Sequence, residues 1–328
     1  MRRREFIAGL GAAAWPVVVR AQQPSRIRTL ALLSGGLEND QNNRGWLSAF
    51  DAGLRSLNWV EGHNIRIERR YAPGDFNRMR EYARELVDLK PDLVLVTNTP
   101  SAMAILQVTH QIPLLFVNVT DPVGSGIVSS LSNPEGNATG FTNFEFSMGG
   151  KWLQILKEVA PNIKRTAIIF NPEVAPFSEG YIRTFRAGAE SLSVDAILAP
   201  IHNVDQLEKL LIAQTREPSG SIMIMPDAFT VPNRDLIIDF AVRHRLPSIY
   251  PYRVFALAGG LISYGPDIED LYRRAAAYAD RLLRGTTPSG LPVQQPSKFE
   301  LVINSKTAKA IGLTISDLLL ARADEVIE

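Results

Sequence analysis

Two spacings of apolar residues alternate along this chain. Short apolar runs recur that stop abruptly at Ser, Thr, Asn, Asp or Gly, and between them lie stretches with apolar residues three or four positions apart. The runs read as strands of a parallel sheet covered on both faces, polar only where they leave the sheet. The spaced stretches read as amphipathic helices. The clearest run, 113–119, ends in Thr120-Asp121-Pro122-Val123-Gly124-Ser125-Gly126. Ahead of it, strands are predicted at 28–33, 65–71 and 93–96. The first closes on Ser34-Gly35-Gly36 and the third on Thr97-Asn98-Thr99. A helix between the first two carries Trp46, Phe50, Leu54 and Leu57 on one face, and 77–89 carries Met79, Tyr82, Leu86 and Leu89. Pro100 opens a further helix at a position where proline is tolerated.

After a turn-rich segment at 137–143 the alternation resumes. Strands are predicted at 165–170, 194–198, 221–225 and 247–252, with helices over 152–159, 176–192, 204–214 and 234–244. A strand and a helix start follow at 259–267, with Asp267 as the N-cap. The extended 291–303 and two short helices, 308–313 and 317–322, complete the chain. Strand–helix alternation of this kind argues for right-handed βαβ units around parallel sheets. The 328 residues exceed what a single core usually organises, so two lobes are expected.

Composition removes several function classes. The net charge is +1, but residues 1–21 hold Arg2, Arg3, Arg4 and Arg20 against Glu5, a net +3, so the remainder sits near −2. That is no electrostatic footprint for nucleic acid. The chain has no cysteine, which excludes disulfides, thiolate catalysis, cysteine metal sites and a lipid-anchoring cysteine. The four histidines show no metal-ligand spacing. Gly-x-Ser-x-Gly, Walker and His-Glu-x-x-His motifs are absent. No catalytic residue, metal or cofactor is expected.

The N-terminus has the plan of a secretory signal peptide. A basic region, Arg2 to Arg4, precedes a short apolar stretch, and Val19-Arg20-Ala21 fits a cleavage site. The Arg-Arg-x-Phe-Ile pattern resembles a twin-arginine export signal, with the general secretory route as the alternative.

Four segments carry a wider resemblance: 119–126, Gly136-Asn137-Ala138-Thr139-Gly140, Gly260-Leu261-Ile262-Ser263-Tyr264-Gly265-Pro266-Asp267, and the ending Ala321-Arg322-Ala323-Asp324-Glu325-Val326-Ile327. In their order and spacing, residues 27–328 resemble a type 1 periplasmic binding protein. More narrowly, they resemble substrate-binding proteins of ABC transporters in the family that includes tryptophan- and tyrosine-binding members. The resemblance implies two doubly wound α/β lobes joined by three crossings, expected near 141–144, 254–258 and 292–297. It divides the chain into a signal peptide (1–21), a first lobe (22–143 and 256–293, with the first four strands) and a second lobe (144–255 and 294–328). It further implies a soluble periplasmic monomer that serves an inner-membrane permease.

In such a receptor the lobes close over a solute by hinge motion. Ligands of open α/β sheets sit at the carboxyl edge of the strands. Ser34 with Gly35-Gly36, and Asn98 with Thr99 ahead of the Pro100 helix, are candidates to hold a carboxylate at helix N-termini. Asp121 and Asp227 end strands in opposite lobes, and either could pair with an ammonium group; each could equally form a turn or a helix cap. Asn143 and Asn171 offer neutral hydrogen bonds. Tyr250, Tyr252 and Tyr264 could stack on an aromatic ligand, with one of the first two expected to point into the core. Trp46, Trp152 and Phe240 are expected in the core. The function expected is capture of a small carboxylate-bearing solute, an amino acid or aromatic acid. The alternatives are a sensor feeding a membrane signalling protein, an α/β hydrolase-like enzyme, and a sugar-responsive repressor core whose DNA-binding head an export signal replaces here.

Overall fold

The computed structural model describes residues 26–215 and 219–328. The segment read as an export signal lies outside the described residues. The first sheet has the order β2-β1-β3-β4-β5 and is parallel throughout. Its strands are β1 (Arg28–Ser34), β2 (Ile65–Tyr71), β3 (Leu93–Val96), β4 (Leu114–Val119) and β5 (Ala138–Thr142), with α1 (Gln41–Ser56), α2 (Phe76–Asp88) and α3 (Thr99–Leu106) between them. All of β3 is buried, as a strand covered on both faces must be. Met79, Ala83 and Leu86 give α2 its buried face.

The second sheet has seven strands in the order β12-β11-β10-β9-β8-β6-β7. They are β6 (Arg165–Phe170), β7 (Asp195–Pro200), β8 (Gly220–Ile224), β9 (Ser248–Tyr250), β10 (Ile262–Pro266), β11 (Phe299–Asn304) and β12 (Glu325–Ile327). Only β10 and β11 run antiparallel. Around the sheet lie α4 (Met148–Val159), α5 (Ser178–Ser191), α6 (Val204–Thr215), α7 (Arg234–Arg243), α8 (Arg253–Leu257), α10 (Ser305–Ala310) and α11 (Asp317–Arg322). Among the described residues no helix is long and apolar enough to cross a membrane.

The first lobe holds a fifth strand beyond the four expected, since β5 pairs with β4 inside the expected bound of 143, and one lobe boundary differs from the sequence reading. The whole of 256–293 was expected in the first lobe, but β10 pairs with β9 and β11 in the second sheet. The carbonyl of Tyr264 on β10 accepts from Trp152 Nε1 of α4 at 2.7 Å. The chain therefore crosses at Pro266-Asp267, where Asp267 caps α9 (Ile268–Leu283). α9 returns to the first lobe because α1 presents Gly53 to it. A Cβ there would lie 2.5 Å from Ala276 Cβ, so only glycine permits the approach. Trp59 Nε1 donates to Asp280 Oδ1 at 2.8 Å and fixes the far end of α9. The third crossing runs beside β5: Thr142 N–H donates to the Gln294 carbonyl at 2.8 Å, and Gln294 N–H to that of Gly140 at 2.9 Å.

Candidate functional site

The carboxyl ends of the two sheets face each other across a cleft. Each wall is built by the residues at which its strands stop.

After β1, Gly35 and Gly36 form a tight loop that satisfies itself. Gly35 N–H donates to Thr97 Oγ1 at 3.0 Å and Gly36 N–H to Ser34 Oγ at 3.1 Å. A Cβ on Gly35 would lie 1.6 Å from Asn98 Nδ2, and one on Gly36 2.6 Å from Asn43 Oδ1. The two glycines thus let a pair of carboxamides lie directly over the loop. Asp40 then caps α1, its Oδ1 accepting from Asn43 N–H at 2.9 Å. Its other oxygen pairs with Arg234 of α7, in the opposite lobe, where both side chains are mostly buried.

After β3, Asn98 Oδ1 caps α3 by accepting from Ser101 N–H at 2.9 Å. Thr99 Oγ1 donates to the Thr120 carbonyl and accepts from the Thr120 N–H, each at 3.0 Å. In β4 the pairing with β5 slips between Val117 and Val119, leaving Asn118 with φ 61°. A bulge of this kind re-aims a side chain, and asparagine tolerates the left-handed region better than most residues. Asn118 Oδ1 accepts from Asn143 Nδ2 at 2.9 Å and from the Tyr252 hydroxyl at 3.2 Å. A tyrosine of the second lobe thereby reaches the first, next to the crossing at Asn143. Asn143 Oδ1 in turn accepts from Thr120 Oγ1 at 2.9 Å and Phe144 N–H at 2.7 Å.

The apolar walls are aromatic. Trp46 of α1 and Tyr272 of α9 stack, with ring centroids 6.2 Å apart and planes 24° apart, and both line the cleft. Phe177, Val174 and Val231 face them from the second lobe. Burial raises the pKa of the Tyr252 and Tyr272 hydroxyls well above the usual phenol range, so both stay neutral.

Asp227, after β8, is a buried carboxylate of the second lobe that lines the cleft. Burial pushes its pKa up to about 6, although three backbone N–H groups pull the other way. Those donors are Asn171 at 2.9 Å on Oδ2, and Phe229 at 2.9 Å and Thr230 at 2.6 Å on Oδ1.

Of the residues singled out from sequence, Asn98, Thr99, Asn143, Asp227 and Tyr252 line the cleft. Ser34, Asp121, Asn171, Tyr250 and Tyr264 do not, each for a local reason. Ser34 is buried behind the glycine loop and donates to Asn43 Oδ1 at 3.3 Å. Asp121 has φ 45° and closes its own turn by accepting from Gly124 N–H at 2.9 Å, so it is a turn former. Asn171 supports Asp227 through its backbone and receives Glu173 N–H on its side chain. Tyr250 is the tyrosine that points into the core, stacked on Phe255 at 4.9 Å. Tyr264 lies against Phe299 at 5.9 Å. The glycine loop differs from expectation too: its N–H groups are engaged internally rather than free for a carboxylate.

Sequence reasoning missed Trp46, Asn118, Arg234 and Tyr272. Trp46 was expected in the core with Trp152 and Phe240; those two are buried, whereas Trp46 is half-buried at the cleft. An asparagine inside the apolar run of β4 was the available signal for Asn118. Among the described residues, no three His, Asp or Glu side chains come together as metal ligands would.

Two α/β lobes with parallel sheets, three crossings and a polar-and-aromatic cleft between strand ends define a solute receptor of the type 1 periplasmic binding protein fold. Comparison with known proteins agrees. The solved structure of a conserved domain protein from Vibrio cholerae superposes with a TM-score of 0.85 at 25% identity, covering 92% of this chain and 100% of that one. A Streptococcus pneumoniae ABC domain solved in complex with L-Trp gives 0.84 at 22% identity, covering 92% and 99%. The tyrosine-binding protein of Clostridioides difficile is 27% identical over 300 residues, 87% of this chain and 81% of that relative. The sequence signature described as "ABC transporter substrate binding protein" matches residues 43–327, and the chain belongs to that family. It is a family of solute-binding proteins rather than enzymes.

Proposed function

We propose that this protein captures a small carboxylate-bearing solute, an amino acid or an aromatic acid, between its lobes and delivers it to an ABC permease of the inner membrane. The observation that carries this reading is the facing of aromatic walls, Trp46 and Tyr272 against Phe177, beside hydrogen-bonding groups drawn from both lobes. An aromatic ring gains most from burial between such walls, and the strand-end Asn and Thr side chains give direction without a charge to desolvate. The N-terminus of α3, at Asn98 and Thr99, favours an anionic group. The tyrosine-binding relative and the tryptophan-bound neighbour support an aromatic solute. The export signal read in residues 1–21 supports a periplasmic site of action, and the absence of cysteine supports a receptor without a lipid anchor.

A thermal-shift screen of the chain from Gln22 onward tests this. A bound solute stabilises by RT ln(1 + [L]/Kd), about 2.7 kcal/mol at a hundredfold excess over Kd. Shifts with amino acids or aromatic acids are expected; shifts with sugars alone would remove the proposed solute class.

A further inference from the structure

The hydrogen-bonding inventory of the cleft is lopsided. Every carboxylate and carboxamide oxygen lining it already accepts a hydrogen bond within the protein. Asp227 receives three backbone N–H groups, and Asp40 receives Asn43 N–H and the Arg234 guanidinium. The side-chain oxygens of Asn43, Asn98, Asn118 and Asn143 are engaged as well. The donors are not all engaged. Asn98 Nδ2 and Asn118 Nδ2 make no hydrogen bond to any described residue. Arg234 Nε is buried without a hydrogen-bond partner, the Asp235 carboxylate lying 3.6 Å away. A buried polar group without a partner is costly, as Arg234 Nε is, and the two partly buried amide groups are free to meet a ligand's acceptors. A carboxylate has acceptors alone and matches these donors; an ammonium group has donors alone and would have to share oxygens that each already accept a hydrogen bond.

We infer that the solute is an aromatic carboxylate lacking an α-ammonium group, its carboxylate held by Asn98, Asn118 and Arg234 and its ring by the Trp46–Tyr272 wall. This rests on the proposed role as an aromatic or amino-acid receptor and narrows it: the cleft selects the acid over the zwitterion, and excludes the amine. Asp227 does not serve as the ammonium partner, because its charge is shared among the N–H groups of its own loop.

Calorimetric titration of the chain from Gln22 onward with matched probes tests the inference. The indole set is 3-(indol-3-yl)propionate, L-tryptophan and tryptamine; the phenol set is 3-(4-hydroxyphenyl)propionate, L-tyrosine and tyramine. Within at least one set, the acid should bind about tenfold or more tighter than the amino acid, and the amine should not bind. Equal or tighter binding of the amino acid overturns the inference and leaves the carboxylate reading standing. Binding by none of the six overturns the inference, and the proposed function falls with it only if the thermal-shift screen also finds no other amino acid or aromatic acid. Asn98→Asp gives a second measurement. Aspartate keeps the cap on α3, since the two residues cap equally well, and it exchanges the Nδ2 donor for an acceptor. Acid affinity should drop about tenfold or more while amino-acid or amine affinity rises, at unchanged melting temperature. A parallel loss of all three overturns the assignment of Asn98.

Discussion

Asp40 at the start of α1 and Arg234 at the start of α7 form an ion pair across the cleft, one residue from each lobe. With side chains 11% and 13% exposed, the pair is shielded from solvent far more than a surface pair, so salt screens it little. It ties the two lobes together at the cleft, because the same arginine lines it.

Breaking the pair should weaken solute binding by lowering the population of closed protein. Asp40→Asn keeps the cap on α1 and Arg234→Gln keeps most of the stem. Each is expected to cost roughly tenfold in affinity, about 1.4 kcal/mol. The double variant should cost clearly less than the sum, with a coupling of about 1 kcal/mol in a double-mutant cycle by calorimetry. Strict additivity would show that the two residues act independently.

Trp46 should report binding. A solute ring placed on it changes its environment directly, whereas Trp152 is buried in the second lobe and Trp59 is held by Asp280. The fluorescence change on adding solute should vanish in Trp46→Phe, and affinity should fall several-fold, roughly the 0.5–1.5 kcal/mol of an aromatic pair. A full signal in Trp46→Phe would place the reporting ring elsewhere.

Gly35→Ala should damage binding more than folding. The new Cβ falls on Asn98 Nδ2, the end of a side chain that can move away, rather than on backbone. Affinity is expected to drop about tenfold or more, with a stability loss near 1 kcal/mol that thermal unfolding would read. A wild-type dissociation constant would mean that Asn98 needs no fixed position.

Binding should depend on pH through Asp227. Burial raises its carboxyl from the ordinary 3.8 to about 6 in the folded protein, so the folded state holds the proton longer than the unfolded one. Stability from this group is therefore greatest at low pH and declines as pH rises from about 4 to about 6, by roughly 3 kcal/mol. Protonation also removes a negative charge from the cleft. Affinity for an aromatic carboxylate should increase as pH falls from 7.5 to 5.5. Titrations at the two pH values, with Asp227→Asn as the pH-insensitive control, check the sign.

Much of the fold was legible because parallel strands buried on both faces announce themselves as apolar runs with polar ends, as β3 and β4 do. The second crossing was not. Gly259-Gly260 suggests a boundary, but β10 is committed to the second sheet by backbone pairing, which no side-chain pattern records. The site was half legible. Asp121 and Asp227 look alike in sequence, each ending a strand; a glycine three residues on takes the first into a turn, while the second stays at the cleft. Trp46 belongs to a helical stripe whose lower members are core, and periodicity cannot tell where a core ends and a cleft wall begins. Asn118 was hidden in a strand because a bulge changes direction without changing composition.

The hydrogen bonds that zip β5 to the segment around Gln294 have a mechanical corollary. The first and third passages between the lobes thus leave the first sheet together, at its β5 edge, so a rotation of one half about that edge would carry both passages with it.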